Sequence, residues 1–296
     1  MSEVLVAAVV CAALATPAPG ISAESTIFQD GFSIGDVSSW SSFVGGPPIT
    51  PPAPLRFTSL AVRDPHFVAI LSIFGCQDFT DTSPVGISVN SALADSIVSD
   101  DDSDGYLDLS VMLLFRPFDP NAVGEIVDAR NGACTYPDSG TSCHVSTSGT
   151  EVRGYYDGLP NGPCLEVNPG DTSSYSPPIT QPTAPCFKTA PQSLYFTVFG
   201  DQELPLQDAQ ISATIVGAAP DDLTKGLIVG FLREVDANNI FLPPSYPIVG
   251  GQSISVLLPG GAGNCAVWTD KDMNGQDPGW WFFLNFTAEN VPWTGL

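Results

Sequence analysis

"PGWWFFLNFTAENV", residues 278–291, alternates over its whole length. Trp280, Phe282, Leu284 and Phe286 fall on one side of an extended chain and make a core face. Trp281, Phe283, Asn285 and Thr287 fall on the other side, which runs from apolar to polar. The period of two makes the stretch a strand. Large rings on an outward face serve either as a second packing layer or as a platform for stacking sugar rings. Trp281 and Phe283 are therefore the candidate ligand-binding pair.

The same period recurs along the chain. In "YLDLSVMLLF" (106–115), Leu107, Leu109, Val111, Leu113 and Phe115 share a face, as in a half-buried strand. "LYFTVF" (194–199), "AQISATIVG" (209–217) and "SISVLL" (253–258) alternate likewise, and "FVAILSIF" (67–74), apolar on both faces, reads as a central strand. Within "DDLTKGLIVGFLREVDANN" (221–239), Gly226 and Gly230 would each cost a helix about 1 kcal/mol. "GLIVGFL" is accordingly read as strand and "REVDANN" as a short helix or turn. With 28 Gly and 28 Pro punctuating such runs, the pattern predicts an all-β protein. The expected form is an antiparallel β-sandwich or jelly roll with minimal helix. Two Pro-rich stretches, "GGPPITPPAP" (45–54) and "SPPITQPTAP" (176–185), read as extended surface crossings.

Residues 4–15 form an apolar run too short to span a bilayer but suited to the core of a signal peptide. Small residues up to Ala23 predict cleavage there, although Glu3 stands where a basic residue is usual. The expected organisation is a leader over 1–23 and one domain over 24–296, with an N-terminal extension over 24–55. Of seven cysteines, Cys11 falls in the leader. The six that remain allow 15 pairings. Cys134–Cys143 and Cys164–Cys186 are the economical local bridges, which leaves Cys76–Cys265 to tie distant segments. No C-x-x-C occurs, which speaks against structural zinc.

Nine Lys and Arg face 32 Asp and Glu, a formal net charge of −23. Such a surface repels nucleic acid and anionic lipid and attracts divalent cations. His66 and His144 are the two histidines, so a Ser-His-Asp triad has little to draw on, and no G-x-S-x-G occurs. Glu125, Glu151 and Glu166 are scattered singly rather than clustered as in a glycosidase.

The acidic stretch "DDDSDGYLD" (100–108) is the strongest chemical signal. Asp100, Asp102, Asp104 and Asp108 occupy positions 1, 3, 5 and 9 of a loop with Gly105 at its turn, a spacing that gathers hard oxygens around Ca²⁺. Val111 stands where an EF-hand has its bidentate Glu, so a helix-loop-helix is excluded. The expected ligands are Asp100, Asp102, Asp104, the Tyr106 carbonyl and Asp108. "DKDMNGQD" is a weaker second loop, with Asp270, Asp272 and Asn274.

"FQDGFSIGDVSSW" (28–40) resembles the F-x-D-G-F-E-x-G-D-x-S-x-W opening that follows the signal peptide in many secreted bacterial proteins, with Ser33 in place of the usual Glu. The stretches "GLIVGFLREVDANN" and "GNCAVWTDKDMNGQDPGWWFFLNF" resemble uncharacterised exported proteins of Gram-negative bacteria. The resemblance implies export and a β fold, and it carries no catalytic role. The functional expectation is an exported, calcium-stabilised, non-catalytic module that binds a glycan or cell-surface polymer. It excludes nucleic acid as a partner and an integral membrane location. The rival expectations are a self-assembling surface-layer or filament subunit and a glycoside hydrolase.

Overall fold

The computed structural model describes residues 52–71, 74–82, 88–146, 150–198, 202–217, 222–244, 250–263, 265 and 269–294. The expected leader, the 28–40 opening and most of the N-terminal extension lie outside these residues.

In chain order the strands are β1 (Ala53–Asp64), β2 (Val68–Leu71), β3 (Gly75–Asp78), β4 (Val111–Arg116), β5 (Glu125–Cys134), β6 (Cys143–Val145) and β7 (Val152–Leu159). They continue with β8 (Cys186–Thr189), β9 (Gln192–Val198), β10 (Gln202–Val216), β11 (Asp222–Arg233), β12 (Asp272–Asn274), β13 (Asp277–Asn290) and β14 (Trp293–Thr294). Helix α1 (Val89–Val98) precedes β4 and the single turn α2 (Glu234–Ala237) follows β11.

Eight strands close into an antiparallel barrel in the order β1-β13-β11-β10-β8-β7-β5-β4 and back to β1. This corrects the expected sandwich or jelly roll. Strand β13, the "PGWWFFLNFTAENV" stretch, lies between β1 and β11, and its Trp280, Phe282, Leu284 and Phe286 point into the barrel core as read. Eight strands enclose just enough room for side chains. Phe57 stacks on Phe286 at 4.2 Å, and Phe115 meets Tyr156 and Phe187 edge-on, so rings fill the interior. A gap of about 10 Å³ beside Phe57 and Ile228 holds no more than one water.

Closure depends on β5 and β7, whose outward faces are charged. Asp128 on β5 is fully buried between Arg116 of β4 and Arg153 of β7, bonded at 2.9 and 2.8 Å. Burial alone would raise its pKa; the hydrogen bonds from Arg153 and Arg116 outweigh that and hold the carboxyl below the usual range. One buried acid thus bridges both seams of β5.

Three other expectations are corrected, and one element is new. The 106–115 strand starts only at Val111, and its second face is not solvated: Met112 and Leu114 are buried with Leu107, Cys134, Cys143 and Val291. "FVAILSIF" contributes β2 to a two-stranded hairpin with β3, outside the barrel. "SISVLL" is a 3-10 turn over Ile254–Leu257, because Ser253 and Ser255 bond each other and Ser255 bonds Asn238 instead of a neighbouring strand. Helix α1 was not anticipated. Ser88 caps it through a reciprocal bond with Ser91. Asn90 then accepts from Val62 N–H and donates to Val62 C=O, which satisfies backbone freed by the β1 bulge.

The strand and the short helix read within 221–239 are both present, as β11 and α2. All three expected disulfides are present, with Cα separations of 5.5 Å for Cys76–Cys265, 4.0 Å for Cys134–Cys143 and 6.1 Å for Cys164–Cys186. Three bridges mark a chain that matures in an oxidising, exported environment. Among the described residues, no helix is long and apolar enough to cross a membrane.

Candidate binding cleft and acidic loops

The Cys164–Cys186 bridge closes the ends of a Pro-rich excursion that lies over the outer face of β11 and β13. Leu165, Val167 and Ile179 pack there on Leu227, Phe283, Val229 and Trp281. Asn285 fastens the excursion by accepting from Thr180 N–H at 2.9 Å and donating to Thr180 C=O at 2.7 Å. The expected stacking platform is therefore not formed: Phe283 is 1% exposed, and Trp281 is half-buried against Phe231. These outward rings are a second packing layer.

The excursion makes a cleft of its own. A half-open groove of about 400 Å³ lies between Arg63 of β1 and residues 167–181, with Thr172, Ser173, Ser174, Tyr175, Pro177, Pro178, Ile179 and Gln181 on its walls. Hydroxyl-bearing residues and Gln181 stand there beside Pro177, Pro178 and Tyr175. Arg63 is 3.4 Å from Asp81.

Behind the cleft lies a buried polar locus. Asp64, the last residue of β1, is 1% exposed and its Oδ2 accepts Ser173 N–H at 2.8 Å. The Ser173 hydroxyl bonds Asp270, whose Oδ2 is buried with no hydrogen-bond partner among the described residues. Tyr175 stacks on His66 with ring centroids 3.8 Å apart, and His66 Nδ1 pairs with Asp78. Burial raises the Asp78 pKa less than the bonds from His66 and Thr80 lower it, so that carboxyl sits below its usual range. The weaker loop expected at Asp270, Asp272 and Asn274 does not gather around one point. Asp270 turns to Ser173 and Asp64, and Asn274 Nδ2 donates to Asp208 at 2.7 Å. Gly275, at φ +63°, then turns β12 tightly into β13. This loop is a hairpin turn whose Asp270 and Asn274 are engaged elsewhere.

The first acidic loop is more convergent. Carboxylate oxygens of Asp100, Asp102 and Asp108 lie within 4.8 Å of one another. Asp104 stands apart from this trio; its carboxylate accepts Tyr106 N–H at 2.8 Å. Tyr106 bridges to Thr135, and its ring meets His144 edge-on at 5.4 Å. The loop is held firmly at both ends. Ser99 caps α1 and donates to Asp108, and Tyr136 N–H donates to Gly105 C=O at 2.9 Å beside the Cys134–Cys143 bridge. Backbone N–H groups of 104 and 105 turn inward to Asp100 at 3.0 Å, with Gly105 at φ +90°. Burial raises the Asp108 pKa, and the charges of Asp101 and Asp102 add to that against the bonds from Ser99 and Asp101 N–H.

Sequence reading missed Asp64, Ser173 and Tyr175. "RDPH" and "DTSSY" carry no spacing that marks them as neighbours; the fold alone brings them together. The residues describe a disulfide-stapled, filled eight-stranded barrel with a covered flank and a polar cleft. Comparison of the chain with protein-family models, curated proteins and solved structures finds no match.

Proposed function

We propose that this protein is an exported, non-catalytic module that binds a saccharide of a glycan or cell-surface polymer in the cleft between Arg63 and residues 167–181. The observation that carries this is the cleft itself, of ligand size at about 400 Å³ and lined by hydroxyl-bearing residues, Gln181, Tyr175, Pro177 and Pro178. The barrel interior is filled with rings and offers a ligand nothing comparable. Asp64 is buried and takes Ser173 N–H, and Asp270 takes the Ser173 hydroxyl, so both acids are engaged by the cleft wall rather than offered to a glycosidic bond and a water as a glycosidase pair must be. That favours binding over hydrolysis. A glycan array followed by calorimetry tests the reading. Ser174→Trp, at an exposed cleft position, is expected to weaken saccharide binding more than tenfold with little change in melting temperature. Binding indifferent to that substitution, or no saccharide retained at millimolar concentration, would remove the proposal.

The acidic loop belongs to the same reading as a stabilising Ca²⁺ site. Asp100, Asp102 and Asp108 are the residues that would hold the ion, with Asp104 fixing the turn. Three carboxylates this close repel by roughly 1 kcal/mol per pair in water and more beside protein. A bound cation relieves that repulsion and stabilises the fold by about 2.7 kcal/mol at a hundredfold excess over Kd. Melting is expected to rise in millimolar CaCl₂ and the rise to vanish in Asp102→Ala. NaCl at matched ionic strength is the control; if it reproduces the whole shift, the loop is a solvated turn.

A further inference from the structure

The cleft wall that bears Ser173 and Tyr175 is joined to the barrel through two acids. Asp64 takes Ser173 N–H at 2.8 Å and Asp270 takes the Ser173 hydroxyl, so two carboxyl groups converge on one serine. Asp64 is fully buried, and Asp270 Oδ2 is buried with no hydrogen-bond partner among the described residues. Ionised carboxylates offer acceptors only and repel each other, so a buried pair converging on one serine is relieved by a proton held between them. We propose that a proton shared by Asp64 and Asp270 is a latch closing residues 169–175 onto the barrel, and that its loss at alkaline pH releases this wall of the cleft. The consequence for ligand access rests on the binding reading above; the latch does not.

The neighbouring charges favour the protonated pair. From β1, Arg63 is engaged by Asp81, and from the 270–272 segment Lys271 Nζ is 2.6 Å from Glu234. His66, stacked on Tyr175, is paired with Asp78. Asp272 and, beyond it, Asp171 add negative charge on the cleft side. Burial first, then the neighbouring Asp270 carboxyl, push Asp64 up to about 8, with Ser173 N–H acting in the opposite direction. An unfolded aspartate ionises near pH 3.9, roughly four units lower. Between those values the folded chain keeps a proton that the unfolded chain has lost. The latch therefore contributes fully below about pH 4, weakens as pH rises, and is gone above about pH 8. Asp78 and Asp128, with lowered values, lose their contribution only as pH falls below the ordinary carboxylate range.

Hydrogen exchange of the intact, disulfide-bonded protein at pH 6 and pH 9, corrected for intrinsic exchange rates, tests the latch. Protection of 169–175 is expected to fall at least tenfold between the two while β13 holds its own. Asp64→Asn, which keeps an acceptor for Ser173 N–H and offers Asp270 a donor without ionising, is expected to abolish that difference. If Asp64→Asn does not fold, Asp270→Asn makes the same test from the less buried partner. Equal wild-type protection at both pH values, or an undiminished pH response in either Asn variant, overturns the latch. The measurement needs no ligand, so a failed glycan screen leaves it intact, and a failed latch leaves the cleft open to a saccharide.

Discussion

Trp280→Ala is expected to cost about 3–5 kcal/mol, the range for emptying a fully buried aromatic site. The indole sits inside the barrel on β13, with Phe282 and Leu284 further along the same face. Its Nε1 donates to Pro259 C=O at 2.9 Å, and Lys271 Nζ lies 5.4 Å over the ring. Truncation therefore opens a cavity, strands a buried carbonyl and frees the 258–263 turn from the barrel. A closed barrel relaxes poorly around such a hole, because each strand is hydrogen-bonded on both edges. Urea unfolding should show the midpoint falling with an unchanged slope. Trp280→Phe, which forfeits mainly the hydrogen bond, should cost about 1–2 kcal/mol. Near-equal losses for the two variants would mean that the hydrogen bond, not the volume, governs this position.

Removing the Cys76–Cys265 bridge with the paired serine substitutions is expected to cost about 5 kcal/mol by chain entropy, given its sequence separation of 189. The corresponding double variant at Cys134–Cys143, with a separation of 9, should cost about 3 kcal/mol. The long bridge also has a specific task. It ties the β2–β3 hairpin, which joins no barrel strand, to the segment that leads into β12 and β13. Chemical denaturation of the two double variants under oxidising conditions gives the comparison. A larger loss at the local bridge would show that packing around the buried Cys134 and Cys143 outweighs loop entropy.

The cleft illustrates how much of a site escapes inspection of residues in order. Trp281 and Phe283 were correctly placed on the outward face of a strand, since period two decides the face. Whether an outward face is wet depends on what crosses it. Here a segment more than a hundred residues earlier is pinned over it by Cys164–Cys186 and Asn285. The same holds for Asp64 and Asp270. Each is an ordinary acid in its own stretch, and the shared proton arises only because β1 and the approach to β12 end side by side beneath Ser173. The acidic loop was more legible, because local spacing brings together side chains only a few residues apart. Even so, Asp104 is drawn off by the Tyr106 N–H, a backbone choice the spacing does not encode.

The sequence by itself determined that the protein is β-rich, acidic and disulfide-bonded, with Trp280, Phe282, Leu284 and Phe286 in the core. These follow from side-chain period, charge count and cysteine number, all of which are local or additive. Closure of the sheet was decided only by the tertiary structure. Alternation specifies one apolar face per strand and fits two stacked sheets as well as one sheet rolled on itself. The difference lies in whether β5 finds β7. That pairing rests on short, charged strands such as "VRGYYDGL", and on Asp128 meeting Arg116 and Arg153 from either side. A buried acid between two arginines belongs to neither period, so it becomes readable only once the three strands are side by side.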